Sequence, residues 1–516
     1  MTTKLRKFFL NGILITAVSI LIRSVAVSFN IYLSNKIGAV AMGLFTLIST
    51  VYGFAITVAT SGIGLATMRL VAEAGGKNDG CEDDDPYHSV RCIMRKCTVY
   101  AFCFSVGSAL ILFFFAPIIG ERLLADTRTV MPLRILAFTL PPIALSSVFN
   151  GYFTAVRQAY KNSIVQMLGQ FIKIYACILL ISVVSADDVE TACLSIVLGG
   201  SISEILSFFV QYFLYLLKKP KRRKPRHNLY CNDKKTERQI LHTALPVAFS
   251  AYVRSGLITI EHMLIPHGLE RNGQSREKSL AAYGTVHSMV FPLVLFPSAL
   301  SGSFAGLLVP EIAESHARGD TRRIDRIISK VFHAVLVFSI GTAGILMCFS
   351  YDLSHAIYPQ ADAGKYILMI APLIPVMYLD TSVDAILKGL GEQVYCMGVN
   401  IVDSLLSVIL VWLLLPNLGI VGYIITVYFT EIINATLSIT RLLIVTKTKP
   451  HLGNWIIKPL ICIIAATSCM RFLLRIFVGT INISWSVYAH IVLTVIFYFL
   501  LLFITGTIRF SQQKKV

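Results

Sequence analysis

Two arginines lie inside long apolar segments, one in each half of the chain. Arg23 and Arg254 are each followed seven residues later by another polar side chain, Asn30 and Glu261. Because seven residues make two helical turns, each pair shares one helix face. A charge at mid-bilayer costs about 2.5–3.5 kcal/mol, so it usually faces a polar cavity or a partner. A guanidinium suits phosphate or pyrophosphate, which predicts substrate binding by Arg23, Arg254 and Asn30. The alternative is a structural ion pair, for which Glu261 is available to Arg254.

A second set of polar residues lies in the predicted seventh, eleventh and twelfth helices. Its members carry carboxylate, amide or hydroxyl oxygens, which are hard ligands suited to Na⁺, while a carboxylate alone could carry H⁺. The pattern predicts a coupling-cation site, and the alternative is a hydrogen-bond network between helices. The residues are Glu261, Asn400, Asp403, Ser404, Thr426 and Thr430. No other metal and no organic cofactor are expected.

Four further charged residues lie within apolar segments. Their opposite signs predict intramembrane charge pairs that neutralise one another, in preference to a role in transport. They are Lys173, Glu204, Asp380 and Asp384.

The composition requires a membrane protein. Of the 516 residues, 55% are hydrophobic and only 14% are charged, whereas soluble domains carry about 25% charged residues. The apolar runs are about 20 residues long, as membrane helices require. We therefore predict an all-α integral membrane protein with fourteen transmembrane helices. The predicted spans are 8–33, 41–70, 97–119, 131–154, 162–184, 192–217, 240–265, 280–306, 331–353, 366–387, 395–415, 419–441, 456–478 and 485–508.

The net charge of +18 orients the protein and does not indicate nucleic acid as a partner. Most lysines and arginines fall in alternate loops, ten of them within 218–238. The positive-inside rule then places both termini in the cytoplasm. The segment 218–238 is predicted to contact anionic lipid headgroups.

The two halves resemble one another. Residues 71–79 align with 312–320, Gly43 aligns with Gly284, and Arg23 and Arg254 head the series. A six-helix unit repeated in the same orientation predicts parallel repeats. The predicted domains are an N-terminal lobe at 1–217, a basic cytoplasmic linker at 218–238, a C-terminal lobe at 239–445 and two appended helices within 446–516.

The short predicted outer loops argue against an enzyme, and the positions of the cysteines argue against disulfides. The predicted outer loops are short, so no external domain is available for an active site. The eleven cysteines lie in predicted spans or cytoplasmic loops, which predicts free thiols.

Residues 7–73 and the sequence LVPEIAE at 308–314 carry a resemblance to a known family. They resemble sporulation proteins of the polysaccharide-transporter branch of the multidrug/oligosaccharidyl-lipid/polysaccharide (MOP) flippase superfamily, which also contains lipid II flippases. The resemblance implies two six-helix lobes and alternating access for undecaprenyl-pyrophosphate-linked saccharides. It also implies that helices 13 and 14 form a groove for the polyprenyl tail.

The resemblance carries over unevenly to individual residues. Arg23 matches a first-helix arginine of lipid II flippases, but their second arginine is Phe29 here, and an arginine of their second helix is missing near Ile56. The implied cavity is less basic than theirs. Glu261, Asn400 and Asp403 resemble their sodium site, although the Asn–Asp spacing is three where the family has four.

The sequence therefore predicts a flippase that moves a lipid-linked saccharide, a peptidoglycan precursor or other polysaccharide unit, across the plasma membrane. Cell-wall synthesis proteins are possible partners, and sporulation is one possible setting. One alternative is a cation-coupled multidrug antiporter of the same superfamily. Another is a membrane scaffold for cell-wall synthesis that transports nothing.

Overall fold

A computed structural model describes residues 3–76, 86–183, 188–217, 233–359, 361–447, 453–477 and 483–507. Within these ranges the chain is helical and contains no strand, which confirms the predicted all-α class. All fourteen predicted spans coincide with helical segments.

The helices of the first half alternate long spans with short breaks. The fourth predicted span begins with a short 3₁₀ turn at Thr127–Thr129. The helices are α1 (Thr3–Thr60), α2 (Ile63–Gly76), α3 (Pro86–Ile118), α4 (Val130–Ala137), α5 (Leu140–Ala155), α6 (Ala159–Val183) and α7 (Val189–Leu217).

The helices of the second half include one strongly interrupted segment, in which a π-helix at Thr285–Val290 joins two α-helices. The helices are α8 (Asp233–Arg271), α9 (Arg276–Gly284), α10 (Phe291–Leu295), α11 (Ser298–Ala317), α12 (Thr321–Cys348), α13 (Ser350–Ile357), α14 (Gly364–Ile370), α15 (Ile374–Gly389), α16 (Gln393–Leu418), α17 (Ile420–Thr446), α18 (Lys458–Phe477) and α19 (Ile483–Ile504).

Ten described helices are long and apolar enough to cross a membrane, or eleven if the bent pair α4–α5 is one span. One of the ten, Ile20–Ala74, contains two predicted spans, because Gly38 turns the chain inside α1 with φ 81° and ψ 171°. This φ lies in the left-handed region that glycine tolerates. The two predicted spans that remain are α8, which carries Arg254 and Glu261, and the interrupted segment α9–α11. About fourteen spans therefore fit the structure.

One compact unit comprises Met1–Ile22 and Val40–His267. In it α5 packs against α2, α3 and α7, and α6 packs against α7. The buried core between α2, α3 and α5 is formed by apolar side chains such as Ile63, Cys97 and Phe153.

The other compact unit comprises Arg23–Ala39 and Gly268–Val516. Its central helix α15 packs against α11, α12 and α17, and the final pair α18–α19 packs together and against α12. The segment containing Arg23 thus folds with the second half of the chain, and the segment containing Arg254 folds with the first. The domain limits 1–217, 218–238, 239–445 and 446–516 stay a prediction, and residues 218–232 of the linker lie outside the described residues.

Eight cysteines of the described ranges are free thiols, in agreement with the sequence prediction. Cys92 is the exception, because it is disulfide-bonded, and the prediction is wrong at this position. Sequence spacing did not indicate this bond, since a disulfide depends on two Cα atoms approaching within about 7 Å in the fold.

Close contact between α2 and α5 depends on glycine, as is common in membrane helix packing. A Cβ atom on Gly151 would meet the carbonyl oxygen of Gly64 and would lie 3.0 Å from Cβ of Thr67. We expect Gly151→Ala to lower the free energy of unfolding by about 1–3 kcal/mol, because backbone cannot move aside easily. Gly107→Ala is the matched control, since nothing lies within 4 Å of its added Cβ. Thermal unfolding of both purified variants measures the difference, and equal stability would contradict the packing argument.

Candidate functional site

Arg23 and Asn30 both reach backbone carbonyls of the interrupted segment α9–α11. One terminal nitrogen of Arg23, Nη2, donates to the carbonyl of Leu295 at 3.1 Å, and Arg23 remains exposed. Asn30 is half-buried and donates through Nδ2 to the carbonyl of Ser288. Arg23 and Asn30 therefore lie on one helix face, as their spacing of two turns predicts. Both side chains contact the same partner segment.

Two tyrosines bind neighbouring carbonyls of that segment. The hydroxyl of Tyr378 donates to the carbonyl of Val294 at 2.6 Å, and that of Tyr358 donates to Met289 at 3.3 Å. Burial raises the pKa of Tyr358, which lies in the loop after α13. Its hydroxyl therefore stays protonated and can donate this hydrogen bond. The broken backbone is thus supported by side-chain donors at several points.

Arg254 lies on α8 among hydroxyl groups. It is exposed, whereas the adjacent Ser255 accepts a hydrogen bond from Thr57 at 3.3 Å. About one turn away on each helix, the hydroxyls of Tyr252 and Ser61 are hydrogen-bonded to each other. Uncharged donors and acceptors beside an exposed guanidinium are suited to an anionic, hydroxyl-rich ligand.

Three carboxylates from three helices lie within electrostatic range of one another in the second unit. They are Asp380 on α15, Asp403 on α16 and Glu431 on α17, and each is half-buried. Asn434 donates to one oxygen of Asp380 at 3.2 Å, and Ser438, further along α17, is a second hydrogen-bonding neighbour of this carboxylate. We name Asp380, Asp403, Glu431 and Asn434 the acidic cluster.

The remaining predicted cation ligands of this unit use their donor groups within their own helices. The amide of Asn400 donates to Cys396 at 2.7 Å, and Thr426 donates to Gly422 at 3.0 Å. The Ser404 hydroxyl donates to the Asn400 carbonyl, and the Thr430 hydroxyl to that of Val427. Within the described ranges, no three His, Cys, Asp or Glu side chains converge closely enough to hold a metal ion. The structure therefore brings Asp403 to the acidic cluster and leaves the coordinating role of the others a prediction.

Glu261 and the predicted charge pairs are distributed over both units. Glu261 is half-buried on α8 in the first unit. Lys173 on α6 and Glu204 on the adjacent α7 attract each other electrostatically. Asp384 forms an ion pair of 2.8 Å with Lys388, one turn along α15.

Sequence reasoning missed Glu431 and Asn434. A signal was available, because Glu431 is a charged residue inside an apolar span and Asn434 follows it on the same helix face. Thr426 and Thr430 of this helix were predicted as cation ligands instead, because they are one turn apart and carry hydroxyl oxygens.

Two protein-family models match parts of the chain. The model of the family described as polysaccharide biosynthesis protein matches residues 9–266, half of the chain. The chain belongs to this family. The model described as MatE matches residues 273–413. The family match, together with the long apolar helices, confirms a multi-pass membrane protein.

Two curated relatives come from Bacillus subtilis (strain 168). The stage V sporulation protein B is 24% identical over 421 residues, which cover 81% of this chain and 80% of the relative. The sporulation protein YkvU is 19% identical over 399 residues, which cover 77% of this chain and 86% of the relative. The predicted resemblance to sporulation members of the family is confirmed.

Solved structures share the fold. One titled "Lipid II flippase MurJ, inward closed conformation" superposes with a TM-score of 0.71 at 14% identity, covering 96% of this chain and 100% of the other. An inward-facing multidrug resistance MATE family transporter of the MOP superfamily gives a TM-score of 0.63 at 13% identity, covering 84% of this chain and 100% of the other. At these identities the likeness establishes the architecture alone.

Proposed function

We propose that this chain is a flippase that moves an undecaprenyl-pyrophosphate-linked saccharide outward across the bacterial plasma membrane by alternating access, with both termini in the cytoplasm. The observation that carries the proposal is the pair of exposed guanidiniums, Arg23 and Arg254, on the first helix of each sequence half. They belong to a chain of the polysaccharide biosynthesis protein family. Membership of that family supports a saccharide as the cargo.

The chemistry of such a cargo explains why arginines stand inside a membrane protein. A pyrophosphate carries several negative charges, and its transfer through hydrocarbon without partners is prohibitively costly. Guanidinium groups offer charge-assisted, bidentate hydrogen bonds to its oxygens. Hydroxyl groups such as those of Ser255, Thr57 and Tyr252 suit the sugar. The prenyl tail would stay in lipid, against the appended helices α18 and α19.

A cation would drive the cycle by binding to the acidic cluster. Asp380, Asp403 and Glu431 repel one another when all are ionised, and removal from water strengthens this repulsion. A proton on one of these carboxylates, or a sodium ion close to a single one of them, would relieve the repulsion and so favour one conformation over another. Asn400, Ser404, Thr426 and Thr430 are further oxygen donors for Na⁺ in this proposal. Glu261, on α8 of the first unit, stays a separate predicted cation ligand.

A multidrug antiporter is the second candidate, and the acidic cluster is the observation that favours it. Carboxylates attract cationic drugs, and the MatE match covers the helices that carry Asp380 and Asp403. The positions of Arg23 and Arg254 favour the flippase instead, because a guanidinium repels a cationic substrate. A scaffold that transports nothing would not require these polar groups inside apolar helices.

Depletion of the protein in its native cell tests the proposal. We expect a polyprenyl-pyrophosphate-linked saccharide to accumulate on the cytoplasmic leaflet at least several-fold, since its exit is blocked. Lipid extraction and mass spectrometry would identify the saccharide and its lipid. Unchanged lipid-linked intermediates together with increased sensitivity to cationic drugs would favour the antiporter and reject the flippase.

A further inference from the structure

Three packed helices of the second unit carry lines of polar residues through apolar segments. Helix α17 packs against both α15 and α16. On each helix the polar residues are three, four or seven positions apart, so they share one helix face. Together they form a set that we name the polar seam: Asp380, Asp384 and Lys388 on α15, Cys396 and Asp403 on α16, and Glu431, Asn434 and Ser438 on α17.

The polar seam leads from the acidic cluster to the protein surface. Ser438 is a hydrogen-bonding neighbour of Asp380 in the cluster. One turn further along α15, Asp384 has the Cys396 thiol as a hydrogen-bonding neighbour and forms an ion pair of 2.8 Å with Lys388. The Lys388 side chain is 46% exposed, close to the end of α15. With both termini in the cytoplasm, this end of α15 lies on the cytoplasmic side.

Buried polar side chains line this route. Cys396, Asn434 and Ser438 are 1%, 8% and 2% exposed, in helices that are apolar enough to cross a membrane. Polar groups at such depth are costly, and ionisable ones usually mark an ion path or a proton relay. The polar seam contains four carboxylates and one ammonium, that of Lys388. Repulsion among ionised carboxylates is strong away from water, so bound protons or cations must compensate most of this charge.

The neighbours of the carboxylates favour a proton over a metal ion. They donate hydrogens: the Asn434 amide donates to Asp380 at 3.2 Å, and the Lys388 ammonium donates to Asp384 at 2.8 Å. A hard metal ion instead takes several oxygen ligands at once, and no three carboxylates of the described ranges converge closely enough to supply them. Lys388 would also repel a metal ion at the exposed end of the route. A proton bound to a carboxylate gives a neutral acid, which an ammonium does not repel.

We propose that the coupling ion is a proton and that it passes between the acidic cluster and the cytoplasm along the polar seam, with Asp384 as the relay. This inference rests on the proposed function, because it concerns the ion that drives transport of the same cargo. One proton moves in each transfer: the O–H bond of protonated Asp380 breaks, and an O–H bond forms on the Asp384 carboxylate. Asp384 then releases the proton to water at the cytoplasmic end and is a carboxylate again. Asp384 thereby has a role in transport besides its ion pair with Lys388.

Gradient-driven transport in proteoliposomes tests this route on the full-length protein. The probe is undecaprenyl pyrophosphate carrying N-acetylglucosamine, and its translocation is measured without a gradient, with a proton gradient and with a sodium gradient. We expect the proton gradient to raise accumulation at least tenfold and the sodium gradient to leave it unchanged. Asp384→Asn should lose this gain, because an amide cannot carry the proton onward, while its gradient-free translocation stays within about threefold of the native rate.

Asp384→His distinguishes a relay from a structural ion pair. Asparagine and histidine both remove the negative partner of Lys388, but an imidazole binds and releases protons near neutral pH. The relay therefore predicts that Asp384→His keeps at least a third of the proton-driven accumulation. Glu314→Gln is the matched control, because Glu314 forms an ion pair of the same one-turn spacing with Arg318, at 2.6 Å and outside the polar seam. It should accumulate the probe as the native protein does.

The outcomes separate this inference from the proposed function. A proton gradient that does not drive accumulation, or native accumulation by Asp384→Asn, overturns the proton route and leaves the flippase standing. Equal losses in Asp384→Asn and Asp384→His would show a structural ion pair and would also overturn the relay. Absence of probe translocation by the native protein under every condition overturns the proposed function and this inference with it.

Discussion

Arg23→Gln and Arg254→Gln are each expected to reduce translocation of a polyprenyl-pyrophosphate-linked sugar in proteoliposomes at least tenfold. Glutamine retains a hydrogen-bonding amide but removes the charge. Loss of a hydrogen bond to a charged group costs about 1.5–3 kcal/mol, which corresponds to about a tenfold to hundredfold change in affinity. The initial rate of head-group appearance in the outer leaflet measures the effect at low substrate concentration.

The matched control for these two variants is Arg318→Gln. Arg318 is exposed at the end of α11 and pairs with Glu314 of the same helix at 2.6 Å. Its replacement should leave the rate within about twofold of the native protein. Native rates in both Arg23→Gln and Arg254→Gln would remove the two arginines from the cargo path.

Neutralising the acidic cluster is expected to abolish coupling while leaving the fold intact. Asp380→Asn and Glu431→Gln remove the negative charges that a cation would compensate. We expect transport by each variant to lose its dependence on a proton or sodium gradient, with gradient-driven accumulation falling at least tenfold. Uphill transport in proteoliposomes, measured with either gradient, identifies the ion and the size of the effect.

Asp325→Asn serves as the comparison, since Asp325 is an exposed carboxylate on α12 outside the cluster. It should retain native coupling. Gradient-driven accumulation by Asp380→Asn and Glu431→Gln that equals accumulation by the native protein would show that the acidic cluster has no part in coupling.

The architecture could be predicted from the sequence because hydropathy and helix length are properties of single segments. Every predicted span is helical in the described residues, and the turn at Gly38 follows an apolar run too long for one crossing. The composition of the compact units depends instead on contacts between distant segments. Arg23–Ala39 folds with the second half of the chain, which no local pattern in that segment indicates.

The site was predicted only in part, because it too depends on contacts between distant segments. The spacing of Arg23 and Asn30 correctly placed both on one face, but their carbonyl partners, Leu295 and Ser288, lie on a distant segment of the chain. The register between the two segments was not visible in the sequence. Glu431 could have been singled out as a charged residue inside an apolar span, but its proximity to Asp380 and Asp403 could not be predicted, because these lie on other helices.

The central claim is that the paired guanidiniums select an anionic head group, and the most direct measurement compares two lipids carrying the same sugar. One is linked through undecaprenyl pyrophosphate and the other through neutral diacylglycerol. In proteoliposomes the native protein should translocate the pyrophosphate-linked lipid at least ten times faster, and this preference should disappear in the Arg23→Gln, Arg254→Gln double variant. Equal rates for both lipids with the native protein would contradict the account.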